Sequence, residues 1–190
     1  MNYSGFYELS TGFKRGCLQV SSEQIEDETP YVYGEAKVER PIVFKHYIGN
    51  KIYDLLETGW ASLYLFSERI ITAFEANNIS GWKKYPAEVY DKKGLPIHGY
   101  SVFAVTGRAG PINDSLSEII WKDPPVPEGN CYQVRKGMYF DLSSWDRSDI
   151  FILKKSLAIV VTQKVKSLLE EIKATNFNLK SVIDIESQIF

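Results

Sequence analysis

Two stretches of this chain run in step. Asp54 to Trp82 reads DLLETGWASLYLFSERIITAFEANNISGW, and Asp149 to Phe177 reads DIFILKKSLAIVVTQKVKSLLEEIKATNF; they hold a constant offset of 95 residues without a gap. Leu65-Phe66 matches Val160-Val161, Ser67 matches Thr162, Arg69 matches Lys164 and Ile70 matches Val165. Identities are few, Asp54/Asp149 and Glu75/Glu170, so what repeats is residue character. Each copy predicts an apolar strand, a helix opened by a hydroxyl residue suited to capping it, and an exit at Gly81 or Asn176. Those two residue types tolerate positive φ best. Val165, Leu168, Leu169 and Ile172 form the i, i+3, i+4, i+7 stripe of a half-buried helix, while Ile70, Ala73 and Phe74 form a stripe one turn shorter. A duplication constrains a fold severely, because both copies must bury the same face.

The rest of the chain is punctuated as strands. Gly5–Leu9, Cys17–Val20, Tyr31–Val38, Pro41–Tyr47, Glu118–Trp121 and Cys131–Leu142 are expected to be extended. Tyr85–Tyr90 and Ile97–Thr106 flank the turn Asp91-Lys92-Lys93-Gly94, a hairpin pattern. Gly107-Arg108-Ala109-Gly110-Pro111 is expected to stop the returning strand, and a strand-like segment follows the second helix over Leu179–Ile185. Ser143–Ser148 reads as a turn or short helix. The expectation is an α+β, strand-rich fold with two main helices at about 68–77 and 163–174. It forms one domain over 1–190, with two similar halves of about 1–122 and 131–190 joined by the Pro-rich loop 123–130.

Composition sets bounds. With 190 residues, 44% hydrophobic and 24% charged, the chain has the make-up of a globular protein. A net charge of −2 and no basic stripe argue against nucleic acid as the main partner. The acidic run Glu23–Glu28 fits a solvated loop or a patch facing a basic partner. No apolar run is long enough for a membrane span, no signal-like segment opens the chain, and a cytoplasmic location is expected. Cys17 and Cys131 lack metal-ligand spacing and are expected to be reduced thiols.

Catalytic equipment is sparse. The two histidines, His46 and His98, lie in no triad or metal-binding pattern. Gly107–Gly110 with Arg108 could cradle a phosphate, but no P-loop Lys-Ser/Thr follows, and a plain turn is the simpler reading. Asp146 and Asp149 flank Arg147 beside Trp145, either as an acid pair or as turn-capping groups paired with Arg147. No catalytic, metal or cofactor site is assigned.

Four segments together carry a resemblance. They are Phe66-Ser67-Glu68-Arg69 through Ile79-Ser80-Gly81-Trp82, Val105-Thr106-Gly107-Arg108-Ala109-Gly110-Pro111-Ile112, Phe140 through Phe151 (FDLSSWDRSDIF), and Val161-Thr162-Gln163-Lys164-Val165. In this order the chain, from about Ile42 onward, resembles a bacterial family of immunity proteins of polymorphic toxin systems, first described only as a domain of unknown function. The resemblance implies a cytosolic protein that is not an enzyme, binds the toxin domain encoded beside it and neutralises it by occlusion. Loop-borne aromatic and Arg residues suit such an interface. The expected set is Arg108, Trp145, Asp146, Arg147 and Asp149. Trp82, matched by Phe177, is expected in the core; Trp145 fits core plug or interface anchor equally. The alternative is a small-ligand binder or enzyme using a cleft near Arg108 and Asp146/Asp149. A purely structural or assembly role is a third reading.

Overall fold

The structure, a computed structural model, describes residues 2–188. The chain begins with β1 (Phe6–Thr11) and β2 (Gln19–Ser21), then a single helical turn, α1 (Thr29–Val32). β3 (Ile42–Ile48), β4 (Leu55–Thr58) and β5 (Tyr64–Ser67) precede α2 (Glu68–Ala76). β6 (Trp82–Tyr90), β7 (Pro96–Ile97), β8 (Tyr100–Val105), β9 (Gly107–Pro111), β10 (Glu118–Lys122) and β11 (Tyr132–Lys136) follow. β12 (Ile150–Lys154), β13 (Ile159–Thr162), α3 (Gln163–Glu171), β14 (Phe177–Ser181) and β15 (Glu186–Gln188) end the described chain.

The expected α+β, strand-rich architecture is present, and the repeat governs it. The hairpin β4–β5 pairs Leu55 with Phe66 and Leu56 with Leu65; β12–β13 pairs Ile150 with Val161 and Phe151 with Val160, the same register displaced by 95. α2 and α3 begin and end at matching positions and bury matching faces, Ile70 and Phe74 in one, Val165 and Leu169 in the other. Gly81 (φ 87°) and Asn176 (φ 65°) both take the left-handed conformation on leaving the helix.

The repeat reaches further than its sequence signal. One sheet runs β6-β8-β5-β4-β2 before adding β3; the other runs β14-β1-β13-β12-β9. Strand for strand these correspond, down to the parallel pairs β2–β4 and β9–β12 at the far edge. In chain order β1 corresponds to β8, yet β1 is inserted between strands of the second copy and β8 between strands of the first. The two halves have exchanged their first strands.

They differ in how they end. In the first, β3 pairs with both β2 and β6 and closes a six-stranded barrel, β3-β2-β4-β5-β8-β6. In the second, the chain after β14 turns through a 3-10 segment (Val182–Asp184), and β15 joins β10 and β11 in a separate three-stranded sheet. One large core lies inside the barrel and against both helices. A smaller one, with Phe6, Phe140, Phe151 and Val160, fills the other side of the second sheet. β12 and β13 are therefore buried on both faces, which explains why Ile150–Leu153 is a continuous apolar run.

Several expectations are corrected. Tyr31–Val38 is not a strand: Pro30 starts a helical turn, where a missing amide costs nothing, and Val32 N–H reaches Glu28 C=O at 2.9 Å. The returning strand does end before Gly107, at Val105, but Gly107–Pro111 is not a turn: it is itself a strand, parallel to β12. Its glycine is required by approach: a Cβ on Gly107 would overlap the Ile150 carbonyl and the Ser148 side chain. Ile97–Thr106 is broken at Gly99 into β7 and β8. Leu179–Ile185 leaves the strand after Ser181. Of Cys131–Leu142, only Tyr132–Lys136 is strand. The loop 123–130 is the tip of the β10–β11 hairpin, since Lys122 pairs directly with Tyr132; it joins two strands of one sheet rather than two halves. No helix among the described residues is long and apolar enough to cross a membrane.

Candidate functional site

The duplicated aspartates sit where the halves meet, and each reaches across. Asp54 accepts from Ser67 Oγ at 2.8 Å and from two nitrogens of Arg69 in its own half. From the other half, Thr175 donates its amide at 2.8 Å and its hydroxyl at 2.7 Å. Asp149 repeats this with Thr162 Oγ1 (3.4 Å), Lys164 Nζ (3.2 Å) and the amide and hydroxyl of Ser80 (2.9 and 3.0 Å). Arg69 also donates to Ile172 C=O at 2.7 Å, and Lys164 to Asn78 C=O at 2.9 Å, so each cation faces the C-terminal carbonyls of the opposite helix. Burial pushes the Asp54 carboxyl up, but the bonds from Arg69, Thr175 and Ser67 outweigh it and hold the pKa at about 2. Ser67 and Thr162 occupy the N-cap positions without capping: neither side chain accepts a helix amide, because each hydroxyl is turned to its aspartate.

Three of the five residues singled out in the sequence come together. Asp146 Oδ2 accepts the Arg108 amide at 2.7 Å, Asp146 N–H returns a bond to Arg108 C=O at 3.0 Å, and Arg147 follows directly. With Ser80, Gly81 and Gly107, Asp146 and Arg147 border a shallow, open depression of about 280 Å³. The charged groups around it are mostly engaged. The Arg108 guanidinium donates to the carbonyls of Val105 (2.7 Å), Gly107 (2.9 Å) and Tyr33 (2.6 Å), and lies over the Tyr33 ring. Burial raises the Asp146 carboxyl, and the Ser148 hydroxyl and amide together with Arg108 bring it below the usual range. Arg147, in the left-handed region (φ 71°), extends its guanidinium over the Trp145 ring at 5.2 Å. Trp145 packs edge-on against Phe6 and donates Nε1–H to Ser148 C=O at 3.0 Å. Asp149 belongs to the inter-half tie instead.

The phosphate-cradle reading of Gly107–Gly110 is overturned, because its amides are taken: Gly107 N–H donates to Gly81 C=O, Arg108 N–H to Asp146 and Gly110 N–H to Ser144 Oγ. Comparison with protein-family models and with curated proteins gives no match. The function is therefore argued from surfaces. Cys17 is buried and Cys131 exposed, both as free thiols; burial raises the Cys17 thiol to about 11.

A surface missed in the sequence lies on the three-stranded sheet. Ile120 pairs with Val134 on its inner face, which turns Ile119 and Trp121 outward opposite Arg135 and Gln133. Ile119 is 47% exposed and Trp121 67% exposed. Arg135, across from Ile119, is bonded to Asp114 at 2.9 Å, and its buried Nε has no partner among the described residues. Leu116, in the 3-10 turn that carries Asp114, adds a third exposed apolar group. One signal was available. Tyr132–Lys136 (YQVRK) has a single aliphatic residue, so it can cover only one of the two apolar faces of Glu118-Ile119-Ile120-Trp121.

Proposed function

We propose that this protein acts by binding another protein, and that the partner is a cognate toxin domain neutralised by occlusion in the cytosol. The observation that carries the binding reading is the outward face of β10–β11. An exposed Trp and Ile share this face with an Arg on the neighbouring strand, with Asp114, Gln133 and Ser187 beside that Arg or across from the Trp. Aromatic and Arg anchors inside a polar rim are the anatomy of energetically dominant interface patches. The motif resemblance supports toxin as the partner class. Arg147, exposed at the border of the other depression, is a second contact in this reading, while Arg108, Trp145, Asp146 and Asp149 hold the scaffold under it.

Co-purification with the neighbouring gene product, followed by calorimetry, tests this. Trp121→Ala is expected to weaken the complex by about 2 kcal/mol, and Arg147→Ala by less. A complex indifferent to Trp121→Ala removes the sheet face from the interface, and no complex at all removes the toxin reading.

A further inference from the structure

The closed barrel has an open end that the reading above does not use. Along β3, Ile42 and Phe44 point into the barrel, and His46 is the next residue of that row. Beyond it the end opens into a cavity of about 320 Å³, floored by Leu18, Ile52 and Ile97 and walled by Lys92 and Lys93 of the β6–β7 turn. A second depression of about 490 Å³ continues from it along Lys45 and Tyr90, sharing His46, Asp91 and Lys92. Barrel mouths that combine an apolar floor with a few polar groups are a recurrent setting for small ligands, in cavities of about 300–1,000 Å³.

Positive charge outnumbers negative at this mouth, with Lys45, Lys92 and Lys93 against Asp91. Lys92 and Lys93 have no carboxylate within ion-pair distance among the described residues. Asp91, the acid lining both depressions, is held by its own turn, with Oδ1 accepting the amides of Lys93 and Leu95 at 2.8 Å each. Lys45 lies 3.7 Å from Glu23, an exposed and weak pair. The His46 Nε2 is engaged with Gly49 C=O at 2.8 Å and braces the rim. The site is also specific to one half. It exists because β3 closes the first sheet onto β6, and the second half has no such closure.

We propose that this mouth binds a small anionic amphiphile: one carboxylate, phosphate or sulfonate between Lys92 and Lys93, joined to an apolar body lying on Leu18, Ile52 and Ile97. Two lysines walling an aliphatic floor match a charged head on a short hydrocarbon, and neither feature alone retains such a ligand. The cavity sizes it to a medium-length chain.

The full chain titrated with decanoate in a calorimeter tests this, beside decan-1-ol, inorganic phosphate and a poly-glutamate peptide. Decanoate is expected to bind saturably and to weaken as salt is added. Decanol and phosphate are each expected to bind at least about tenfold more weakly. Lys92→Glu with Lys93→Glu, both on an exposed turn, is expected to reduce decanoate affinity by about tenfold or more, and the remote pair Lys154→Glu with Lys155→Glu to leave it unchanged. Ile52→Glu is expected to abolish binding with the circular dichroism spectrum intact. No saturable decanoate binding, or binding equal for decanol and indifferent to the lysine changes, overturns the proposal. Binding of poly-glutamate without decanoate also overturns it and gives the lysines to an acidic macromolecule. None of these measurements involves a toxin, so they stand or fall apart from the protein-binding reading.

Discussion

Asp54 shows how much one side chain can hold. It joins β4, α2 and the segment after α3, and it is nearly buried. Replacing it with Ala leaves the Thr175 amide and the Arg69 guanidinium without their acceptor, and the expected loss is about 3 kcal/mol in denaturant unfolding. Its pKa of about 2 in the fold lies below the ordinary carboxylate value of roughly 3.9 in an unfolded chain. The stability it confers is therefore fully present above about pH 4 and disappears as pH falls through about 2. Acid titrations of the native protein and Asp54→Ala should converge across that window; curves that stay parallel would place the linkage elsewhere. Asp54/Asp149 was one of only two identities in the repeat, so the sequence marked the position. The role was hidden because the partners, Thr175 and Ser80, lie 121 and 69 residues away.

At the level of elements, the hairpin–helix units were legible because their pattern is local: two apolar runs, a hydroxyl, then a helical stripe. β9 was not legible, because GRAGP has the residues of a turn and becomes a strand only beside β12. There a neighbouring backbone tolerates nothing larger than hydrogen at Gly107. Gly107→Ala is expected to destabilise by roughly 3 kcal/mol, by driving Ile150 and Ser148 outward. Gly5→Ala, where a Cβ would meet open space, should change stability by less than about 0.5 kcal/mol. Equal effects in thermal and denaturant unfolding would show that close approach is not what fixes β9. Tyr31–Val38 failed for the opposite reason. Its aromatic and β-branched content favours extension, but Pro30 presets a helical φ at a point where the chain must turn back. Of the five site residues named from sequence, Arg108, Asp146 and Arg147 do cluster, because β9 runs beside β12 and sets Arg108 against the loop that leads into it. Trp121 was overlooked because a short strand reads the same whether its second face is covered or bare.

For the whole molecule, the duplication predicts what a cut will do. Opening the chain at the exposed Asp91–Gly94 turn separates one fragment carrying β1 to β6 from another carrying β7 to β15. Each lacks the strand its main sheet inserts between two others, β8 in the first and β1 in the second. Neither fragment is expected to give a folded NMR spectrum alone, and mixing them should restore one. A fragment that folds unaided would mean the exchange of strands is not essential to either sheet. The same exchange has a consequence for birth on the ribosome. Phe6 must find Thr162, and Thr11 must find Phe177, so β1 waits for partner strands that leave the ribosome long after it does. Until then it trails as bare, pairing-competent backbone, and the nascent chain is exposed to sticking to its neighbours until β13 and β14 have been made.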